Sequence, residues 1–502
     1  MDKKTQMNPN VLVQYLQKPA CEFTRQDIVD FCVGNNVKFI NFHYCGWDGK
    51  LKTLNFVINS LEHLENILQA GERVDGSSLF PFIEAGKSDL YVMPRYKTAF
   101  LNPFTEEPTV DLLCSFFNRE GEPFESSPQY ILYKAHNAFK EVTGMEMHTM
   151  GELEYYVISE AEDLYTVDDQ RGYHESAPFN KFTDLRVKAM QLISQCGGLI
   201  KYGHSEVGNF TYEGKIYEQN EIEFLPTNIE DAADQLVVAK WVMRQLAYEY
   251  GVELTFAPKI TAGKAGSGMH VHCCFQKDGK SMMTKNGELT DECKKAIAGY
   301  MIAGTSLPAF GNPHPLSFFR LVPHQEAPTS LCWSFSNRSA LVRVPLGWLK
   351  QMDMAAKCNP NEVAQDKDFS NKQTFEWRAS DGFADTYMLM AALCCAARYG
   401  FEVPNGLEVA EKTYVGLGVN IHDESNKQLQ ESLEQLPASC VAAAQELATD
   451  RDIYTSRDVF SDSIIDYLIK YLTAFDDAHL REEISGDIEK VLKLVQDNIN
   501  KG

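Results

Sequence analysis

The sequence predicts an α+β protein: a small sheet-rich domain followed by a larger domain that mixes strands with helices. Three observations carry this. The stretch "VKFINFHYCGWDGKLKTLNFVI" alternates apolar and polar residues on both sides of Trp47-Asp48-Gly49-Lys50, and Asp-Gly between alternating runs marks a hairpin. Helices are bounded by caps: Ser127 with Pro128 opens one that runs to about Val142, and another, from about Asp231 to Tyr250, stops at Gly251. Between the helices lie apolar, β-branched segments in which polar residues recur in pairs one residue apart.

In chain order, residues 1–20 form a polar extension. The strand-like segments "DLYVMPR" and "TVDLLCSFFN" continue the first domain over 21–122, and "REGEPFESSPQ" reads as the linker. The mixed domain covers 123–452, and 453–502 is its helical C-terminal segment. There Ile464, Ile465, Tyr467, Leu468, Tyr471, Leu472 and Phe475 make an amphipathic stripe. Its polar face is not basic, which favours core or subunit packing over a membrane surface. The longest apolar run, 387–397, is too short to span a bilayer and reads as a buried helix. With 47 Lys and Arg against 70 Asp and Glu in 502 residues, the net charge of −23 opposes binding to nucleic acid or to an anionic membrane. Thirteen cysteines, an odd count without CxxC spacing, argue against a disulfide framework or zinc knuckle. Together with a start lacking a signal-peptide apolar run, they point to a cytoplasmic location.

The chemistry lies in the pairs: Glu152/Glu154 in "GELEYY", Glu221/Glu223 in "NEIEF", His270/His272 in "MHVHCC" and Glu376/Arg378 in "FEWRAS". On a strand, residues i and i+2 face the same side. One such pair is an ordinary exposed polar face. Four within apolar strands can converge on one cavity, where like charges require cations. Carboxylates with an imidazole suit Mg²⁺ or Mn²⁺ better than zinc, and the set is typical of two-metal phosphoryl chemistry. "GKAGSGMHVHCC" is not a Walker loop: Pro258 stands where the first glycine is needed, and Ala265 follows Lys264 where Ser or Thr is required. Gly266 and Gly268 read instead as places where backbone approaches a ligand. Arg320, Arg338, Arg343 and Arg378 are structural ion-pair partners singly, and a carboxylate and phosphate clamp as a group. Glu326, between Gln325 and Ala327-Pro328 in a segment that reads as a loop, is a candidate mobile acid–base group.

The motifs "VDGSSLF", "GELEYY", "RGYHESAP", "SEVG…EQNEIEF", "APKITAGKAGSGMHVH", "FFRLVPHQEAP", "NRSALVRVP" and "FEWRASDGFAD", in this order, resemble the glutamine synthetase family of the bacterial, large-oligomer type over about residues 37–450. The resemblance implies an N-terminal β-grasp domain and a C-terminal catalytic domain with a funnel-shaped, half-barrel antiparallel sheet and flanking helices. It implies a homo-oligomer, usually two stacked hexameric rings, with active sites between neighbouring subunits. The implied reaction is ATP-dependent phosphorylation of the glutamate γ-carboxylate, followed by displacement of phosphate by ammonia, with two or three Mg²⁺ (or Mn²⁺) ions per site. Carried over by position, Glu154, Glu206 and Glu221 hold the metal nearer glutamate, and Glu152, His270 and Glu376 the metal at the nucleotide phosphates. Arg320, aided by Gly266 and His272, holds glutamate. Arg338, Arg343 and Arg378 stabilise the transferring charge. Asp75 and Ser78 are lent by a neighbouring subunit. Asp75, Glu206, Tyr173 and Glu326 form the ammonium pocket, with Asp75 as proton acceptor and Glu326 closing a flap.

Several positions depart from the family pattern. Fourteen residues separate Glu206 from Glu221, more than is usual, so either a hairpin is enlarged or Glu218 is the true ligand. Ala265, Cys274, Thr374, His324-Gln325 and Asp385-Thr386 replace an asparagine, a serine, an arginine, Gly-Tyr and Asn-Pro respectively. "NKQLQESLEQLP" lacks a tyrosine, so regulation by tyrosine adenylylation is not expected. The alternatives to ammonia ligation are a ligase for a larger amine such as a polyamine, and a catalytically silent relative.

Overall fold

The computed structural model describes residues 5–83, 86, 88–323, 327–345, 354–365 and 369–502. The Asp-Gly signal forms the expected hairpin: β1 (Phe39–Cys45) and β2 (Leu51–Val57) pair antiparallel around Gly49, whose φ of +71° suits glycine. Further along are β3 (Glu72–Asp75), β4 (Asp89–Pro94), β5 (Phe100–Leu101) and β6 (Thr109–Phe117). The sheet order is β2-β1-β6-β4-β3, with β5 on β6 and β1 parallel to β6. Helices Arg25–Gly34 and Leu61–Ala70 pack Ile28, Phe31, Leu64 and Leu68 into one core with Ile40, Phe42, Val110 and Leu112, giving a β-grasp domain. Residues of the opposite pleat, Asn41 and His43, bond the buried Asp111 carboxylate at 2.8 and 2.7 Å. The His43 ring lies 5.3 Å from Trp241 of the larger domain, and Arg95 grips Asp234 there through two hydrogen bonds of 2.6 and 2.9 Å.

The segment expected as a linker is not extended. Phe124 N–H donates to Phe116 C=O at 2.9 Å, and the Phe124 ring packs 5.3 Å from Phe80, so the chain folds back on β6. Helix Pro128–Thr143 then begins at once, with the Ser127 hydroxyl accepting from Tyr130 N–H.

The larger domain is built on a ten-stranded sheet. Its long strands are β7 (Glu146–Glu160), β8 (Ile200–Tyr212) and β9 (Lys215–Phe224). The short β10 (Thr227–Asn228) and β11 (Glu253–Thr255) also pair with β7. β12 (Met269–Lys277) carries β13 (Lys280–Ser281) at one end, while β14 (Thr284–Lys285) and β15 (Glu288–Leu289) make a separate ribbon. With β16 (Trp333–Phe335), β17 (Val342–Val344) and β18 (Phe375–Trp377), the order is β16-β17-β18-β12-β7-β9-β8, antiparallel except at β16–β17. The sheet curls into a half-barrel. Leu153, Tyr155 and Val157 turn to the helix-covered side and share one core with Leu236, Val237 and Leu389. The intervening residues of β7 are left on the concave side. Residues 387–397 are buried within helix Thr386–Glu402, as the apolar run predicts. Among the described residues no helix is long and apolar enough to cross a membrane.

The stretch after Glu206 enlarges a hairpin. β8 and β9 pair out to Tyr212↔Lys215 across Glu213 and Gly214, both at positive φ, the two-residue turn that matches strand twist. A bulge lies between Ser205 and Asn209.

Helices Asp291–Ile302 and Thr386–Glu402 touch backbone to backbone at Gly299 and Gly400. A Cβ on Gly400 would stand 1.9 Å from Lys295 C=O, and one on Gly299 the same distance from Ala396 C=O. Replacing Gly400 with alanine is therefore expected to destabilise the protein by about 3 kcal/mol. A chemical denaturation curve unchanged from wild type would contradict this close crossing.

Candidate active site

Strand register brings the four pairs together. Glu152 lies opposite His270 on one neighbour and Glu223 on the other; Glu154 lies opposite Glu221, and His272 opposite Glu376. All face a cavity of about 800 Å³ on the concave side of the sheet. Glu218, the competitor for Glu221, is on the far pleat, where the backbone N–H groups of Lys181 and Phe182 bond its carboxylate. Glu221 is the cavity residue.

The centre of the cluster is an imidazole–carboxylate lattice. Glu152 Oε2 lies 3.0 Å from His270 Nδ1, and its Oε1 lies 2.8 Å from His272 Nε2. Glu376 Oε1 lies 3.2 Å from His270 Nδ1, and Glu376 also accepts from Arg343 Nη1 at 2.9 Å and Arg378 Nε at 3.1 Å. The Thr374 hydroxyl, where the family pattern has an arginine, lies 2.8 Å from His272 Nδ1 and orients that ring. Burial opposes charge on His270, but hydrogen bonds to Glu152 and Glu376 raise it to about 9. Burial and the Glu152 charge oppose ionisation of Glu376, yet His270 and Arg378 hold it at about 2. Burial, then the charges of Glu152, Glu154, Glu206 and Glu223, push the Glu221 carboxyl well above the usual range.

That crowding is where divalent cations fit. Among the described residues, two groups bring ligand atoms within 4.8 Å of one another: Glu152, His270 and Glu376, and His204, Glu221 and Glu223. The first is the triad the resemblance implies. In the second, His204 and Glu223 stand where the resemblance places Glu154 and Glu206. The reason is local: Glu154 Oε2 accepts from Gly268 N–H and Gln219 Nε2, both at 2.9 Å, and Glu206 Oε2 accepts from Val207 N–H at 2.8 Å. Both stay close, Glu154 Oε1 4.0 Å from His270 Nε2 and Glu206 Oε1 3.7 Å from His204 Nδ1. Oxygen donors with one imidazole per group suit Mg²⁺ or Mn²⁺.

The guanidinium groups line the same cavity. Arg320 is buried, donating to Ala379 C=O at 2.8 Å and Arg378 C=O at 3.2 Å, with Nη2 also 3.2 Å from His270 Nε2. Gly266 and Gly268 make room for it: a Cβ at either would stand 2.8 or 2.4 Å from the arginine. Arg343 Nε is buried without a hydrogen-bond partner. Arg338 is exposed at the rim, and its C=O accepts from Arg378 Nη1. Tyr173 stacks 4.2 Å from His174 and meets His204 edge-on at 5.6 Å, beside Glu206.

Thus Glu152, Glu154, Glu206, Glu221, His270, Glu376, Tyr173, Gly266, His272, Arg320, Arg338, Arg343 and Arg378 share one cavity. Asp75 and Ser78 do not line it; they lie at the end of β3, where Asp75 accepts from the Ser77 and Ser78 hydroxyls at 2.6 and 2.8 Å. Glu326, with His324 and Gln325, falls outside the described residues. His204 was missed by sequence reasoning, although His204-Ser205-Glu206 shows the same one-residue spacing.

A half-barrel whose concave face gathers carboxylates, imidazoles and guanidinium groups is suited to handling phosphoryl and carboxylate charge together. The profile described as "Glutamine synthetase, catalytic domain" matches residues 125–485, and "Glutamine synthetase, beta-Grasp domain" matches 36–119. The chain belongs to the glutamine synthetase family. The glutamine synthetase of Methanococcus voltae is 27% identical over 474 residues, 92% of this chain and 97% of that protein. That of Thermus thermophilus is 30% identical over 354 residues, 67% and 77%. Of solved structures, a cryo-EM Plasmodium falciparum glutamine synthetase superposes with a TM-score of 0.73 at 19% identity, covering 91% of this chain and 97% of that one. A GmaS/ADP complex gives 0.69 at 17% identity, covering 93% and 99%.

The His270 shift sets a pH dependence. Its folded value is raised from 6.5 to about 9, so the stabilisation is complete below pH 6.5 and lost as pH rises through about 9. Metal-free protein is expected to lose thermal stability across that window. Saturating Mg²⁺ should flatten the slope, because a liganded imidazole is already neutral. A flat profile without metal would contradict the pairing.

Proposed function

We propose that this chain is an ATP-dependent glutamate–ammonia ligase. The observation that carries the reading is the Glu152–His270–Glu376 lattice, bonded to Arg343 and Arg378 inside one cavity with the separate carboxylates Glu206 and Glu221. Family membership gives the reaction class, and the residue types fit both halves of the reaction.

In the first half, a γ-carboxylate oxygen of glutamate attacks the γ-phosphorus of ATP, the bond to the ADP oxygen breaks, and γ-glutamyl phosphate forms. Mg²⁺ or Mn²⁺ held by Glu152, His270 and Glu376, and by Glu221 with His204 and Glu223 and with Glu154 and Glu206 close by, would neutralise phosphoryl and carboxylate oxygens. Arg338, Arg343 and Arg378 stabilise the transferring group, and the unpartnered Arg343 Nε is one N–H available to an oxyanion. Arg320, Gly266 and His272 orient glutamate.

In the second half, ammonium gives a proton to a carboxylate, the freed nitrogen attacks the acyl carbon, and phosphate leaves. Glu206 and Tyr173 take the ammonium in this reading. Asp75 and Ser78 belong to the same pocket only if a neighbouring subunit supplies them, which suits an oligomer of stacked hexameric rings.

The experiment is ATP- and Mg²⁺-dependent phosphate release with L-glutamate, comparing ammonium with methylamine, putrescine and spermidine. Release with ammonium, reduced about a hundredfold or more in Arg343→Ala, is the expected result. Release with a larger amine alone would replace ammonia by that amine as acceptor, and no release with any amine would overturn the ligase reading.

A further inference from the structure

Gln219 is a buried residue of β9 that lines the catalytic cavity, on the same pleat as Glu221 and Glu223. Its carboxamide joins three segments that are far apart in the chain. Nε2 donates to Glu154 Oε2 on β7 and to Gly266 C=O in the loop before β12, both at 2.9 Å, with Ser267 Oγ at 3.2 Å. Oε1 accepts from Gly208 N–H at 3.0 Å, inside the β8 bulge. The partners fix the orientation of the amide, because only its nitrogen can face a carboxylate and a carbonyl.

The surroundings are shaped to this side chain. A Cβ on Gly208 would stand 2.5 Å from Gln219 Oε1 and 2.0 Å from the Tyr156 hydroxyl, which itself donates to Ala265 C=O at 2.9 Å. On the other side, Gly268 N–H also donates to Glu154 Oε2 at 2.9 Å, and Glu154 N–H donates to Gly268 C=O at 3.2 Å. Glu154 Oε2 is therefore held from two directions. Its Oε1, 4.0 Å from His270 Nε2, is the oxygen left to meet a cation. Hydrogen bonds to a ligating carboxylate set its orientation and its affinity for metal.

We infer that Gln219 is a positioning residue: it aims Glu154 at a divalent cation and, through the same amide nitrogen, fixes the loop where the substrate carboxylate enters. The substrate half of this inference rests on the glutamate–ammonia ligase reading; the cation half does not. One amide nitrogen serving both makes the bound cation and the loop parts of a single unit.

Mn²⁺ titration followed by electron paramagnetic resonance tests the cation half. Gln219→Met, close in size but without an N–H, is expected to weaken one bound Mn²⁺ by about tenfold or more and to leave the other unchanged. In Glu376→Gln protein, which lacks a ligand of the other group, adding Gln219→Met should weaken the ion that remains. Gly208→Ala displaces the amide from its far side without touching Glu154, and should act in the same direction. Isothermal titration in saturating Mg²⁺ tests the substrate half. Gln219→Met should bind L-glutamate more weakly by about tenfold, yet bind ADP like wild type, a split that a general loss of packing would not produce. The inference is overturned if Gln219→Met takes up both Mn²⁺ ions like wild type, or if it weakens both ions and ADP alike. Wild-type protein that binds Mn²⁺ but no L-glutamate would overturn the ligase reading instead, and the Mn²⁺ titration alone then decides the role of Gln219.

Discussion

Six buried or half-buried carboxylates, Glu152, Glu154, Glu206, Glu221, Glu223 and Glu376, share one concave surface, and their mutual repulsion is the constraint around which the molecule is organised. Two unit charges 4 Å apart repel by about 4 kcal/mol at an effective dielectric of 20. Such a surface holds its shape only if its strands are fixed from behind and its charge is met in front. Helices Pro128–Thr143, Ile229–Glu249 and Thr386–Glu402 press the far side of the sheet into a continuous core. In front, His270, His272, Arg343 and Arg378 meet the carboxylates by direct contact, and divalent cations would complete the balance.

Much of this was legible in the sequence because its period is simple. Alternation on a strand guarantees that Glu152 and Glu154, or His270 and His272, share a face whatever the tertiary arrangement. Local chemistry likewise announced the Asp48-Gly49 hairpin and the Ser127-Pro128 helix start. Which strands become neighbours was not legible from spacing alone. Glu376 reaches His270 only because β18 pairs with β12 from about a hundred residues away, a contact that no local signal encodes. The choice between Glu218 and Glu221 was also one of register, and pairing with β7 decides it. His204 stands one residue from Glu206 like the other pairs, but only the pairing of β8 with β9, which sets it opposite Glu221, makes it part of the site.

Among the described residues, the departures at Thr374, Ala265 and Cys274 are accommodated rather than left as gaps. Thr374 uses its hydroxyl to set the His272 ring. Ala265 offers no side-chain polar group, but its backbone N–H donates to Gln170 Oε1 at 2.8 Å and its C=O accepts from the Tyr156 hydroxyl at 2.9 Å. Gln170 is in turn tied to Asn209 at the bulge of the lengthened β8–β9 hairpin, so the extra residues help to hold the glycine loop. Cys274 lines the cavity as a thiol, since burial raises it to about 12. Asp75 and Ser78 match the family motif but do not line the cavity of the single chain, and an inter-subunit arrangement is what would give them a role.

The carboxylate surface is built as one that divalent cations fit. The most direct measurement is Mn²⁺ titration followed by electron paramagnetic resonance, which counts bound ions without requiring turnover. The account requires at least two tightly bound Mn²⁺ per subunit in the wild-type protein, and loss of one of them in Glu376→Gln. Wild-type protein that takes up no tightly bound Mn²⁺, or Glu376→Gln protein that binds it unchanged, would contradict the account.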